Sequence, residues 1–166
     1  MYPQTVRVFI EIEKHSNQKY EFNKTENKLE LDRELPYPYF YPYAYGFIEN
    51  TLAMDGDELD VLIIADKEIK KDRWYDVCMI GVLIMSDEKG LDEKILCVSP
   101  EHYKTISDID LLSDEIKDNI RWFFSNYKSR TPGKWSIVNS FENKEKALEL
   151  YNKYLISNNK SNCRIV

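Results

Sequence analysis

The sequence predicts a mainly β fold of the α+β class, in which many short strands are followed by two C-terminal helices. Strand-like segments separated by turns run from about residue 6 to residue 98, with one more at residues 135–141, a pattern typical of a barrel or a sandwich. Helical periodicity appears only after about residue 113. The length of 166 residues, with 43% hydrophobic and 31% charged residues, predicts a single folded domain over residues 1–166.

The first strand has the pattern of a sheet with one buried face. Val6, Val8, Ile10 and Ile12 are spaced two residues apart, so their side chains share one face and the residues between them face the other way. The same kind of reasoning predicts further strands at residues 19–23, 28–33, 45–48, 60–65, 75–85, 94–98 and 135–141.

Residues 36–46 read PYPYFYPYAYG and interrupt the series of strands. Three prolines in this segment exclude a helix, because proline lacks the backbone donor that a helix interior needs. We therefore expect an extended, aromatic-rich stretch on the surface.

Two helices are predicted near the C-terminus. The first follows Ser113, a good N-cap, and has a stripe formed by Ile116, Ile120, Phe123, Phe124 and Tyr127. The second is predicted over residues 144–157 after the cap Asn143, with a stripe formed by Ala147, Leu148, Tyr151, Tyr154 and Leu155. The tail SNNKSNCRIV is polar, and we expect it to fray.

Composition excludes several classes of function. The formal net charge of −6 disfavours nucleic-acid binding, because the phosphate backbone is also negative. The apolar runs are far shorter than the roughly 20 residues that span a bilayer, and the N-terminus lacks a secretory signal, so we expect no membrane partner. Cys78, Cys97 and Cys163 have no disulfide or zinc spacing, which predicts reduced thiols and a cytoplasmic location.

The strongest chemical signal is the first acidic turn, residues 55–60, which reads DGDELD. Crowded carboxylates repel one another unless cations neutralise them, and an oxygen-only ligand set selects hard ions such as Mg²⁺ or Mn²⁺. A calcium loop starting at Asp55 fails, because Asp60 falls where that loop requires glycine. The remaining alternative for this segment is a solvated surface turn.

The second acidic turn, residues 87–94, follows another apolar strand and reads DEKGLDEK. Asp92 and Lys94 are two residues apart and share a face if a strand begins there. They would then offer a cation ligand and a phosphate contact side by side. Because both acidic turns lie at strand ends, they could converge on one site.

These residues resemble the soluble inorganic pyrophosphatases of the widespread Mg²⁺-dependent family, bacterial type. The resemblance extends over residues 6–154 and includes, in order, FIEIE, QKYE, LDR, FYPYAYG, DGDELDV, GVLIMSDEKGLDEK, WFFSNYK and GKW. It implies a closed, OB-like five-stranded β-barrel with extra strands. It also implies an enzyme that hydrolyses pyrophosphate to two orthophosphates with a metal-activated water.

The resemblance assigns a role to each acidic residue. Asp57 would be the general base. The other acidic residues would hold Mg²⁺ ions, with Mn²⁺ or Co²⁺ as substitutes. Asp55, Asp60 and Asp92 would hold the tightest ion, and Asp60 would also reach a second. Asp87 and Asp92 would bind an ion that arrives with the substrate, and Glu11, with Glu21 as a further candidate, would bind another substrate-bound ion.

The basic and tyrosine residues would bind pyrophosphate and phosphate. The resemblance assigns phosphate contacts to Lys19, Arg33, Tyr45, Lys94, Tyr127 and Lys128, and supporting positions to Tyr41, Glu88 and Lys134. Taken singly, Lys19 and Glu21 are more often an exposed charge pair on a strand, and the periodicity of its helix would place Tyr127 in the core.

Two other functions remain open at this point. One is an OB-like binding module whose tyrosines at positions 37, 39, 41, 43 and 45 stack single-stranded nucleic acid. The other is an inactive relative, although no acidic ligand is missing. Glu58 departs from the proline that many members carry. The resemblance implies a homohexamer, with a smaller oligomer as the alternative, and Trp122 is a candidate interface residue.

Overall fold

The first strand of the computed structural model, which describes residues 4–156, follows the alternation of its sequence. β1 (Thr5–Ile12) buries Val6, Val8, Ile10 and Ile12, as predicted. Phe9 lies on the opposite face but is also buried, because its ring packs against the rings of Phe22, Phe47 and Trp74.

The remaining predicted segments agree with the structure to within a few residues at their ends, whereas the short strand Gly90–Leu91 and two short 3-10 turns were not predicted. The other strands are β2 (Gln18–Asn23), β3 (Lys28–Glu34), β4 (Ala44–Ile48), β5 (Asp60–Ile63), β6 (Arg73–Asp87), β7 (Gly90–Leu91), β8 (Lys94–Val98) and β9 (Ser136–Glu142). The two helices are α1 (Asp114–Asn126) and α2 (Lys144–Tyr154), and two short 3-10 turns, His102–Lys104 and Ile109–Leu111, precede α1.

Both predicted helix caps are confirmed. The Ser113 hydroxyl accepts a hydrogen bond from the Ile116 amide, and the Asn143 side chain accepts one from Lys146. Leu150, missing from the predicted stripe of α2, is buried. Position 157, the predicted end of the second helix, and the tail SNNKSNCRIV with Cys163 lie outside the described residues.

Five strands close into a ring. β1 pairs antiparallel with β4 on one side and with β6 on the other, β4 pairs antiparallel with β5, β5 pairs parallel with β8, and β8 pairs antiparallel with β6. β7 and β9 extend from β6, while β2 and β3 form a separate two-stranded sheet. The mainly β fold with two helices is therefore confirmed.

Both faces of the central strands are buried. On β5, Val61 and Ile63 belong to an apolar cluster that includes residues of α2, whereas Leu62 belongs to a second cluster that includes residues of α1. Each fully buried aliphatic side chain contributes about 1.5–3 kcal/mol relative to an exposed one. This two-sided burial anchors the strand ends that carry the acidic turns.

The prediction of a surface location for residues 36–46 is wrong for three tyrosines. Tyr37 is 77% exposed, but Tyr39, Tyr41 and Tyr45 are buried. The centroids of the Tyr41 and Phe123 rings lie 4.7 Å apart, because the large apolar area of these rings favours burial under α1. The segment is not helical, as its prolines predict.

A close approach of two strands requires glycine at position 46. Gly46 pairs with Ile10, and a Cβ atom at position 46 would lie 1.8 Å from the carbonyl oxygen of Phe9. Cys78 and Cys97 are buried free thiols, as predicted. No helix within residues 4–156 is long and apolar enough to cross a membrane.

Candidate active site

The first acidic turn connects β4 to β5 and carries the carboxylates of Asp55, Asp57 and Asp60. Gly56 has a φ of 89°, a left-handed conformation that glycine adopts without strain. This turn lets the Asp57 amide donate to Asp55 Oδ1 at 3.0 Å and the Ala53 amide donate to the Asp57 carbonyl at 2.7 Å. Asp55 and Asp57 are exposed, whereas Asp60 begins β5.

The second acidic turn joins β6 to β8 through the short strand β7. Asp87 is the last residue of β6, and its Oδ1 accepts a hydrogen bond from the Lys89 amide at 2.9 Å. Its other oxygen, Oδ2, accepts one from Lys128 Nζ at 2.8 Å, just after the end of α1. The buried lysine lowers the pKa of Asp87 by hydrogen bonding and charge, against the opposing effect of burial.

Lys94 links the two acidic turns. The parallel pairing of β5 and β8 places Asp60 opposite Lys94. Lys94 Nζ donates to Asp60 Oδ2 and to Asp92 Oδ1, both at 2.7 Å, and to the Tyr45 hydroxyl at 2.8 Å. Burial alone would lower the pKa of Lys94, but the two carboxylates raise it well above its ordinary value, so Lys94 is charged.

Glu11 brings a buried carboxyl group to the same place. Burial raises its pKa to about 8, against a smaller lowering by the Phe22 amide, which donates to Glu11 Oε2 at 2.8 Å. The negative charges of Asp60, Glu21 and Glu58 raise the pKa further. A bound cation would reverse this effect, because it favours the ionised form.

The two-stranded sheet of β2 and β3 contributes positive charge. Lys19 and Arg33 lie opposite each other in its register. Lys19 Nζ contacts Asp32 at 3.0 Å and Glu21 at 3.4 Å, so the charge pair considered from the sequence is present. Arg33 Nε is buried and makes no hydrogen bond, with Asp32 Oδ2 3.9 Å away, which leaves a donor for a bound anion.

Tyrosines line the side of the site nearest α1. Tyr127, the C-cap of α1, is 6% exposed and packs 5.2 Å from the ring of Phe123. Burial raises the pKa of Tyr127, so its hydroxyl remains protonated and able to donate. The burial that its periodicity predicts is therefore confirmed, and Tyr127 also lines the cavity, while its phosphate contact remains a prediction.

One cavity of about 570 Å³ contains every residue that the sequence assigns to the site. It brings together Glu11, Lys19, Glu21, Arg33, Tyr41, Tyr45, Asp55, Asp57, Asp60, Asp87, Glu88, Asp92, Lys94, Tyr127, Lys128 and Lys134. Nine acidic and seven basic side chains line it in all. Their individual roles remain predictions.

The cavity also includes residues that the sequence reasoning did not assign to the site. These are Ile12, Tyr20, Phe22, Lys24, Phe47, Glu58 and Lys89. Lys24 Nζ lies 2.6 Å from Glu58, the residue noted as a departure from the family pattern. Lys24 follows a strand in a polar turn, so no pattern distinguished it from a surface lysine. Lys89 lies inside the second acidic turn and could have been included on that ground.

The donor set fits hard cations. Within residues 4–156, no three His, Cys, Asp or Glu side chains already form a metal-binding group. The reason is visible in the contacts, since Lys94 holds Asp60 and Asp92 while Lys128 holds Asp87. Acidic side chains outnumber basic ones in the cavity, and all candidate ligand atoms are oxygens, as Mg²⁺ requires.

Comparison with known proteins agrees with this geometry. Residues 8–158 match the family model described as Inorganic pyrophosphatase. The chain belongs to the inorganic pyrophosphatase family. Inorganic pyrophosphatase of Helicobacter pylori strain J99 is 43% identical over 151 residues, covering 88% of this chain and 87% of that protein. Inorganic pyrophosphatase of Nanoarchaeum equitans is 45% identical over 146 residues, covering 86% of this chain and 90% of that protein.

Solved structures of inorganic pyrophosphatases share the fold. The Helicobacter pylori structure has a TM-score of 0.89 at 40% identity and covers 93% of this chain and 92% of its own. The Thermus thermophilus structure has a TM-score of 0.89 at 36% identity and covers 95% and 92%. The family resemblance carried by the sequence motifs is confirmed, and metal dependence is a property of this family.

Proposed function

We propose that Mg²⁺ is the cofactor with which this enzyme, a member of the inorganic pyrophosphatase family, hydrolyses inorganic pyrophosphate to two orthophosphate ions, and that Mn²⁺ or Co²⁺ can replace Mg²⁺. The observation that carries the proposal is the cavity in which both acidic turns meet the buried lysines Lys94 and Lys128. Family membership supports the same reaction.

The acidic residues would divide the cations among them. Asp55, Asp60 and Asp92 would hold one ion, with Asp60 reaching a second. Asp87 with Asp92 and Glu11 with Glu21 would hold ions that accompany the substrate. Bound Mg²⁺ supplies positive charge that lowers the pKa of a coordinated water and neutralises phosphate oxygens.

Asp57 acts as the general base in this proposal. Its carboxylate lies on an exposed turn beside Asp55, with solvent access for the nucleophilic water. It accepts the proton that the water releases as a new P–O bond forms. The bridging P–O bond breaks at the same phosphorus, and the leaving phosphate departs with the electron pair.

The cationic and phenolic groups hold the substrate. Lys19 and Arg33 from the two-stranded sheet and Lys94, Lys128 and Tyr127 from the ring and α1 contact phosphate oxygens. Arg33 Nε makes no hydrogen bond and lies 3.9 Å from Asp32 Oδ2, and charge-assisted hydrogen bonds from such a donor to phosphate are about twice as strong as neutral ones. Tyr45 donates to a phosphate oxygen too. Tyr41, Glu88 and Lys134 support the positions of these groups.

A phosphate-release assay tests the proposal. Purified protein should release orthophosphate from pyrophosphate in the presence of Mg²⁺ and lose this activity in excess EDTA, with recovery when Mg²⁺ is restored. Release that persists in excess EDTA would refute the metal mechanism. No release at any Mg²⁺ concentration would favour the inactive relative. A binding module that stacks single-stranded nucleic acid on its tyrosines is not supported, since Tyr39, Tyr41 and Tyr45 are buried and cannot stack on bases.

We also propose a homohexamer in the cytoplasm, with a smaller oligomer as the alternative assembly. Trp122 is 49% exposed and packs 5.6 Å from the Tyr39 ring, which suits an interface residue. The buried thiols Cys78 and Cys97 suit a reducing compartment. Analytical ultracentrifugation measures the assembly, and a monomer at micromolar concentration would contradict it.

A further inference from the structure

The last residue of α2 contacts the chain near both acidic turns. The backbone carbonyl of Tyr154 accepts a hydrogen bond from the Leu52 amide at 2.9 Å, three residues before Asp55. The hydroxyl of Tyr154 donates to Glu93 Oε1 at 3.2 Å, and Glu93 directly follows Asp92. One residue outside the cavity therefore connects the two segments that supply its carboxylates.

Both members of the side-chain hydrogen bond are buried. Tyr154 is 3% exposed and Glu93 is 6% exposed. A buried carboxylate without a partner is costly, so Glu93 is held where the tyrosine hydroxyl reaches it. Because Glu93 lies between Asp92 and Lys94 in the chain, fixing Glu93 also fixes the backbone of both neighbours.

The first acidic turn is also anchored at the C-terminal end of α2. The Thr51 hydroxyl donates to the Ile48 carbonyl at 2.7 Å and accepts from the Leu59 amide at 2.9 Å. Thr51 also forms a bridge with Leu155, the residue after Tyr154. The base of this turn is thus attached to the end of α2, and the Tyr154 hydroxyl extends that attachment to Glu93.

We propose that Tyr154 is a positioning residue that holds the two acidic turns at the separation their carboxylates need to share cations. Tyr154 does not line the cavity and acts through Glu93. The inference rests on the proposed function, because it assumes that Asp55, Asp60 and Asp92 bind the cations.

Tyr154→Phe is the direct test, because it removes the hydroxyl and leaves the backbone bond to Leu52. We expect calorimetric titration of the metal-depleted variant to show Mg²⁺ affinity about tenfold weaker, as when a residue supporting metal ligands is lost. The Mg²⁺ concentration for half-maximal activity should rise by the same factor, while kcat at saturating Mg²⁺ stays within about twofold.

The sign of the change in Mg²⁺ affinity distinguishes a displaced acidic turn from a purely electrostatic effect. Removing the hydroxyl withdraws a hydrogen-bond donor from Glu93 without adding positive charge, so electrostatics alone predicts Mg²⁺ binding that is unchanged or slightly tighter. Weaker binding therefore reports a displaced turn. In the Glu93→Gln background, where the glutamine still accepts the hydrogen bond, Tyr154→Phe should produce the same loss of affinity.

Tyr151→Phe is the matched control. Tyr151 is a half-buried tyrosine one turn earlier on α2, it lies beside Glu49, and it does not line the cavity. Its variant should bind Mg²⁺ as the wild type does. If Tyr154→Phe lowers the thermal midpoint but leaves Mg²⁺ affinity unchanged, the hydroxyl is only a stabilising group and the proposal is wrong. If the wild type itself neither binds Mg²⁺ nor hydrolyses pyrophosphate, the proposed function fails instead.

Discussion

Replacing Glu11 by glutamine should stabilise the cation-free protein above neutral pH. Burial raises the pKa of Glu11 to about 8, against the lowering effect of the Phe22 amide, and nearby carboxylates raise it further. Glutamine keeps an oxygen to accept the Phe22 hydrogen bond but carries no charge. The variant therefore removes the ionisable group while it keeps the hydrogen-bond acceptor.

The pKa of Glu11 fixes both the sign and the size of the effect. An ordinary glutamate has a pKa of 4.5, so between about pH 4.5 and 8 the folded protein keeps a proton that the unfolded chain releases. The free energy of unfolding of the wild type should therefore fall as pH rises through this interval. At about 1.4 kcal/mol per pKa unit the fall is about 5 kcal/mol. Relaxation and water entry reduce it, and we expect about 2–3 kcal/mol.

Urea denaturation in EDTA at about pH 5, 7 and 9 measures this difference. The Glu11→Gln variant should gain about 2–3 kcal/mol relative to the wild type between the lowest and highest pH. Glu13→Gln is the control, because Glu13 also accepts a backbone hydrogen bond, from the Lys71 amide at 3.1 Å, but does not line the cavity. Parallel stability curves for the wild type and Glu11→Gln would refute the reasoning.

Two further predictions concern catalysis and packing. Asp57→Asn should lower kcat about a hundredfold or more, as expected for loss of a general base, with little change in Mg²⁺ affinity. Asp60→Asn should instead weaken Mg²⁺ binding. Steady-state kinetics and calorimetric Mg²⁺ titration of both variants measure these effects. Asp57→Asn that binds Mg²⁺ poorly but recovers full rate at saturation would identify Asp57 as a ligand. Gly46→Ala should destabilise the protein by about 3 kcal/mol or more in urea, because its Cβ meets the Phe9 carbonyl, a backbone atom that cannot move aside. Gly133→Ala, in open space with left-handed backbone, should cost only about 1–2 kcal/mol, and equal losses would contradict this account.

Local spacing was enough to predict part of the site. Asp92 and Lys94 were expected to share a face if a strand began at Asp92; β8 begins only at Lys94, but the two side chains still meet at 2.7 Å because the residues are close in the chain. Ser113 and Asn143 were predictable as caps, because capping depends on neighbouring residues only.

Contacts between distant segments were not predictable from spacing. Asp60 meets Lys94 because β5 and β8 pair in parallel, and periodicity within either strand carries no information about that pairing. The motifs indicated that the two turns belong together only through the family resemblance. The burial of Tyr41 was missed for the same reason, since it depends on α1 packing over a proline-rich segment that has no period of its own.

The parallel pairing of β5 and β8 also separates segments that line the cavity from segments that do not. Asp60 and Lys94 are the first residues of their strands, and no residue of 61–86 or 95–126 lines the cavity. These two stretches include the connections that leave the far ends of β5 and β8, where Asp66 and His102 approach to 4.0 Å. Loop length there can vary without displacing a ligand, because insertions in surface loops cost little closure entropy. An affinity tag or fluorescent label placed in these connections would leave the catalytic groups in position.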